Sequence, residues 1–91
     1  MPTTSSKKVI FQIEAPAAQR VVLVGEFTNW QERPIPMLKG VDGTWTVTVL
    51  LPRGLHQYLF IVDGVSHEDP NCSERVRNST GGFNMVRVVE F

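Results

Sequence analysis

The stretch Leu51-Pro52-Arg53-Gly54-Leu55-His56-Gln57-Tyr58-Leu59-Phe60-Ile61-Val62-Asp63-Gly64-Val65 decides the fold. Tyr58, Phe60 and Val62 alternate with Gln57, Leu59 and Ile61. A period of two sends alternate side chains to opposite faces of a strand. Pro52-Arg53-Gly54 separates this strand from the one before it. Asp63-Gly64, between Val62 and Val65, has the chemistry of a tight hairpin turn.

The same period runs outward in both directions. Val9, Phe11 and Ile13 alternate with Lys8, Gln12 and Glu14, with Ile10 the exception on the polar side. Val21 and Leu23 lead into Gly25 and Phe27. Trp45, Val47 and Val49 alternate with threonines, and Val86 and Val88 with Met85, Arg87 and Val89. These residue types suit a pleated, half-buried surface. Ala15-Pro16-Ala17-Ala18, Asp42-Gly43, Asp69-Pro70-Asn71 and Gly81-Gly82 punctuate the runs, and no window offers an amphipathic helix. About seven short strands in so short a chain predict an all-β, antiparallel β-sandwich. Its expected core is Val9, Phe11, Leu23, Phe27, Trp45, Val47, Tyr58, Phe60 and Val88. Residues 1–6 read as a flexible polar tail, and 7–91 as a single domain.

Composition narrows the function. The chain has 91 residues, with nine Lys/Arg against nine Asp/Glu. That balance argues against nucleic acid and anionic membrane surfaces as partners. No apolar run approaches the ~20 residues of a membrane span, and the N-terminus lacks the apolar core of a signal peptide. With one cysteine, Cys72, neither an internal disulfide nor a CxxC pair exists, so a reducing cytoplasm is the expected compartment. The two histidines, His56 and His67, are too few for a histidine-built metal site, and no cofactor is called for.

Ser66-His67-Glu68-Asp69 has residue types fit for acid–base work, but adjacent strand residues face opposite ways. No nucleophile elbow, phosphate-cradling loop or HExxH is present, so no catalytic residue is assigned. Trp30 is different. It follows Gly25-Glu26-Phe27-Thr28-Asn29 in a polar loop and precedes Gln31-Glu32-Arg33-Pro34. A tryptophan there is either a lid over the core or an exposed platform. An exposed indole beside amides is one way to hold a sugar: the ring covers the C–H face and the amides bond hydroxyls.

Gly25-Glu26-Phe27-Thr28-Asn29-Trp30 resembles the G-x-F-N-x-W motif of family-48 carbohydrate-binding modules. These include the glycogen-binding domain of the AMP-activated protein kinase beta subunit and the early-set domains of glycogen-branching and isoamylase-type enzymes. The likeness continues in order through Pro36-Met37, Gly43-Thr44-Trp45, the whole of Leu51–Gly64, Asp69-Pro70 and Gly81-Gly82-Phe83-Asn84-Met85-Val86. It implies an immunoglobulin-like, early-set β-sandwich that binds α-1,4-linked glucans such as glycogen and starch without catalysing a reaction. It also implies a glycogen-metabolising enzyme or kinase as a protein partner, with self-association as another option.

The family's binding positions carry over one by one. The first stacking tryptophan falls on Trp30 and the asparagine on Asn84, with Asn29 beside Trp30. The family's lysine falls on Leu59, its second tryptophan on Ser66 and an apolar residue on Thr80. His67 and Phe83 adjoin the altered positions and are the candidates to replace the lost platform. Alternation also puts Leu59, Ile61, Val22 and Val24 on the outward parity, where they would form an apolar patch. The alternative reading is therefore a protein-interaction or assembly module that has lost sugar binding, with Leu59 and Ile61 as its partner surface. One indole over on the order of 100 Å² of sugar yields about 2.5 kcal/mol. A millimolar affinity needs about 4 kcal/mol, so Trp30 requires help.

Overall fold

The computed structural model describes residues 6–72, 74–79 and 81–90. Nine strands form among them: β1 (Ser6–Glu14), β2 (Val21–Gly25), β3 (Ile35–Pro36), β4 (Leu38–Lys39), β5 (Thr44–Pro52), β6 (Gly54–Val62), β7 (Val65–His67), β8 (Arg75–Arg77) and β9 (Phe83–Val89). A three-stranded sheet has the order β1-β5-β4, and a six-stranded sheet the order β3-β2-β6-β9-β8, with β7 also on β6. Every pairing is antiparallel. The architecture is the expected all-β sandwich. The strand count exceeds expectation because four strands, β3, β4, β7 and β8, are only two or three residues long. Pieces that short carry too few residues to display a period. Ser6, grouped with the tail by composition, opens β1 opposite Pro52.

The Asp63-Gly64 turn has positive φ at both residues, 49° and 86°, as a two-residue primed hairpin turn requires. It is tied to the far end of β2: the Asp63 carboxylate accepts the Gln19 and Arg20 N–H groups, each at 2.9 Å. The turn fixes the register Val62↔Val65 and Ile61↔Ser66. Register on β6 then decides which side chains face inward.

Between the sheets, Phe11, Leu23, Tyr58 and Phe60 are fully buried. Phe11 meets Tyr58 edge-on with ring centroids 4.8 Å apart, and Tyr58 meets Phe60 at 5.8 Å. Trp45 is buried, and its indole N–H donates to the Ala15 carbonyl at 3.0 Å. Phe27 and Val47 pack partly buried against this core.

Val88 corrects the expected core. It is 39% exposed, while Met85 and Val89 are buried. Met85 lies opposite Tyr58 and Arg87 opposite His56, so Met85, Arg87 and Val89 share the inward face of β9. The charge on Arg87 disguised that phase, because both faces of β9 carry apolar residues. Arg87 sits inward because its head bridges the sheets: it donates to the Ile10 carbonyl at 2.7 Å and lies 4.8 Å from the Phe11 ring centre.

Tyr58 donates its buried hydroxyl to the Asp69 carboxylate at 2.7 Å. Burial first, then that bond and the nearby Cys72 thiol, push the phenol above its ordinary range. An unfolded tyrosine releases its proton near pH ~10. Stability from Tyr58 is therefore full below that pH. Above it, stability falls by up to ~1.4 kcal/mol per pH unit, because the unfolded chain releases a proton that the folded one keeps. Tyr58 is the only tyrosine, so phenolate absorbance reads it alone. We expect that absorbance to rise only together with unfolding. Phenolate forming near pH ~10 in a still-folded protein would contradict the buried bond.

Candidate functional site

β2 ends at Gly25, and the chain turns through two short 3-10 segments, Glu26–Thr28 and Trp30–Glu32. Gly25 is extended, with φ −176°, so backbone strain does not explain the glycine. Space does: a Cβ here would meet the Gln57 carbonyl oxygen at 2.6 Å and the Phe27 ring at 2.7 Å. Phe27 anchors the loop inward, stacked on Phe11 at 5.9 Å. Thr28 is buried beneath the turn. Its hydroxyl accepts the Gly25 N–H at 3.0 Å and has a single proton to give, to the Trp30 carbonyl at 2.7 Å or the Gly25 carbonyl at 3.0 Å. The Arg33 N–H donates to the Thr28 carbonyl at 3.1 Å and closes the loop.

Asn29 and Trp30 both adopt the left-handed conformation, with φ 53° and 57°. Asparagine tolerates it; a bulky residue such as tryptophan does so at a cost of roughly 1–2 kcal/mol. The Thr28 bonds hold Trp30 there. The indole is half-buried and stands outside the core cluster, so Trp30 is not a lid over the core.

Trp30 instead lines a groove of about 700 Å³ on the outer face of the six-stranded sheet. Val24, Leu59 and Ile61 contribute its apolar residues; Asn84, Phe83, His67, Ser66 and Gln57 line it too. The groove thus brings together Trp30, Asn84, His67 and Phe83, which lie on three different elements, the Trp30–Glu32 segment, β7 and β9. Asn29 is not among its lining residues. The Asn29 amide donates to the Glu32 carboxylate at 2.7 Å and braces the turn instead. Thr80 lies outside the described residues.

The amides form a line. Asn84 is buried; its amide donates to the Gln57 side-chain oxygen at 3.1 Å, and its oxygen accepts from the Asn78 amide at 3.1 Å. Asn78 accepts the Gly82 N–H at 3.0 Å. Glu26 completes the frame by accepting the Gln57 backbone N–H at 3.2 Å. Polar groups so fixed lose little freedom on meeting a ligand. Thr28, Gln57 and Asn78 escaped the sequence reading. The signal for Thr28 was the habit of threonine hydroxyls of bonding local backbone in turns. Nothing in the sequence singles out Gln57 or Asn78 before β6 and β9 are paired.

The expected apolar outer face is only half open. Val22 and Val24 are buried, with the Trp30–Glu32 turn lying beside β2, whereas Leu59 and Ile61 are half-buried within the groove. Among the described residues, no group of three or more His, Cys, Asp or Glu could hold a metal ion. No helix among them is long and apolar enough to cross a membrane.

A family model for the glycogen recognition site of AMP-activated protein kinase matches residues 8–91. A 1,4-alpha-glucan branching enzyme of Lactobacillus acidophilus is 38% identical over 52 residues, covering 57% of this chain and 8% of that protein. One from Nitrosococcus oceani is 42% identical over 53 residues, 55% of this chain and 7% of that protein. One from Aspergillus oryzae is 44% identical over 45 residues, 50% of this chain and 6% of that protein. The chain therefore spans only a small part of the length of these relatives.

Proposed function

Because the chain belongs to the carbohydrate-binding family of the AMP-activated protein kinase glycogen recognition site, we propose that it is a non-catalytic module for α-1,4-linked glucan, glycogen- or starch-like, with a partly altered sugar site. The observation that carries this reading is Trp30, held outside the core on the wall of a groove that Asn84 also lines. The indole stacks on the apolar face of a glucose unit. The Asn84 amide bonds its hydroxyls; an amide has two N–H donors and an oxygen with two lone pairs, so two fixed bonds do not exhaust it. His67 and Phe83 stand in for the missing second tryptophan. A polymer offers the same unit many times, so weak single sites still localise the module when several are linked. Its role is then to tether or sense, bringing a glycogen-metabolising enzyme or kinase to the polymer in the cytoplasm.

Electrophoresis in native gels with and without glycogen tests the reading. The protein is expected to migrate more slowly in the glycogen gel relative to a non-binding standard. Equal relative mobility in both gels contradicts it. A protein partner on Leu59 and Ile61 is the competing reading, and it needs the same groove. Leu59→Lys separates the two: a lysine there can lay its stem on the apolar floor and reach a hydroxyl with its ammonium. Glucan affinity is expected to rise about threefold to tenfold. Unchanged sugar affinity with loss of a protein complex favours the competing reading.

A further inference from the structure

The amides along the groove form a relay with a single direction. The Gly82 N–H can only donate, so the Asn78 side chain turns its oxygen to it, at 3.0 Å. That leaves the Asn78 nitrogen for Asn84, whose oxygen accepts from it at 3.1 Å. The Asn84 nitrogen in turn donates to the Gln57 side-chain oxygen at 3.1 Å. A backbone N–H at one end thus sets the orientation of every amide in the line. The relay ends on the Gln57 side-chain nitrogen, whose N–H groups have no acceptor among the described residues. No buried side-chain polar atom among those residues lacks a partner, so this nitrogen reaches solvent. Gln57 lies opposite Val86, which puts it on the same outward face as Asn84, and it lines the groove. Glu26 lines the groove too; one oxygen of its carboxylate accepts the Gln57 backbone N–H at 3.2 Å, and the other is uncommitted among the described residues.

We propose that Gln57 and Glu26 act as a donor–acceptor pair for two adjacent hydroxyls of one sugar unit. The Gln57 nitrogen donates to the oxygen of one hydroxyl, and the uncommitted Glu26 oxygen accepts the proton of the next. The inference rests on the sugar-binding reading above and deepens it, because it gives the groove a polar contact apart from Asn84. A hydroxyl both donates and accepts, so a vicinal diol offers one bond of each kind at neighbouring atoms. Both protein groups are anchored on Gln57, one through its side chain and one through its backbone N–H. A bond to an ionised carboxylate is roughly twice as strong as one between neutral groups. The relay favours the other half of the pair. Successive amide bonds polarise one another, which strengthens the donor at the end of the line. The donor is also oriented before a ligand arrives, so little rotational freedom is lost on binding.

A ¹H–¹⁵N NMR titration of the full chain with maltoheptaose tests the proposal, because glutamine side chains give N–H signals of their own. The Gln57 side-chain pair is expected to shift along the same saturation curve as the Trp30 indole. Variants then separate a direct contact from mere support of Asn84. Gln57→Met keeps the length of the side chain and removes its donors, but it also leaves the Asn84 amide without its acceptor. It is therefore measured in the Asn84→Ala background, where there is no amide to orphan. Binding there is expected to weaken by a further factor of about three to ten. Glu26→Gln keeps an oxygen for the Gln57 N–H and replaces the second acceptor with a donor. Its affinity is expected to fall about threefold to fivefold, with the melting temperature essentially unchanged. Gln57 signals that stay put while the Trp30 indole saturates overturn the proposal alone. So does a Gln57→Met effect that vanishes once Asn84 is gone, or full affinity in Glu26→Gln. No indole shift in the wild type overturns the sugar reading and this inference with it.

Discussion

Trp30→Ala is expected to lower affinity for maltoheptaose by about fiftyfold, the worth of roughly 100 Å² of covered sugar face. The fold is expected to survive, because Trp30 stands outside the core cluster. Its neighbours keep their bonds: Thr28 still holds Gly25, and Arg33 still donates to Thr28. The melting temperature should therefore move by no more than about 5 °C, the effect of roughly 1 kcal/mol in a domain of this size. Glycogen retention and the dispersion of the amide spectrum are the two readouts. Retention equal to wild type in a folded Trp30→Ala protein would mean that stacking on this indole is not the mechanism.

Gly25→Ala is expected to be the most damaging single methyl group in the site. Its Cβ would arrive 2.6 Å from the Gln57 carbonyl oxygen, a backbone atom of the central strand β6. Backbone there cannot retreat, because Gly25 pairs with Tyr58 and Gln57 with Val86. The second obstacle, the Phe27 ring, is stacked on Phe11 and cannot swing aside freely. Forcing both apart costs about 2–3 kcal/mol. For a domain of this length that is about a 10–20 °C fall in melting temperature. The turn that presents Trp30 starts at this residue, so glucan affinity should fall in the molecules that remain folded. Denaturant titration and melting curves give the first number. A loss under about 0.5 kcal/mol, the usual range for surface substitutions, would show that the loop yields more easily than its contacts imply.

Most of the scaffold was legible from periodicity. β1, β5 and β6 follow their period-two alternation, and Asp63-Gly64 turns where its residue types require. The phase of β9 was not legible. Met85, Val86, Val88 and Val89 give both faces apolar residues, and Arg87 points its charged side chain inward to a carbonyl on the other sheet. Alternation alone cannot anticipate a charge that solves a bridging problem between sheets. Trp30 and Asn84, on which the family's binding positions fall, and His67 and Phe83, which adjoin the altered positions in sequence, all line one groove. What the sequence hides is what positions them. Thr28 acts from beneath the turn, and Gln57 and Asn78 act through strand pairing. Asn29 is a different case: the amide beside the candidate platform donates to the Glu32 carboxylate within the turn, a bond that depends on the local 3-10 geometry.

The most direct test of the central claim is a ¹H–¹⁵N NMR titration with maltoheptaose. The chain has two tryptophans, and only two indole N–H signals need be followed. Trp45 is buried with its N–H bonded to Ala15, so it serves as an internal control. The account predicts a saturable shift of the Trp30 signal with Trp45 unmoved. Neither signal shifting at ~10 millimolar sugar, a concentration at which a millimolar site is mostly filled, would contradict it.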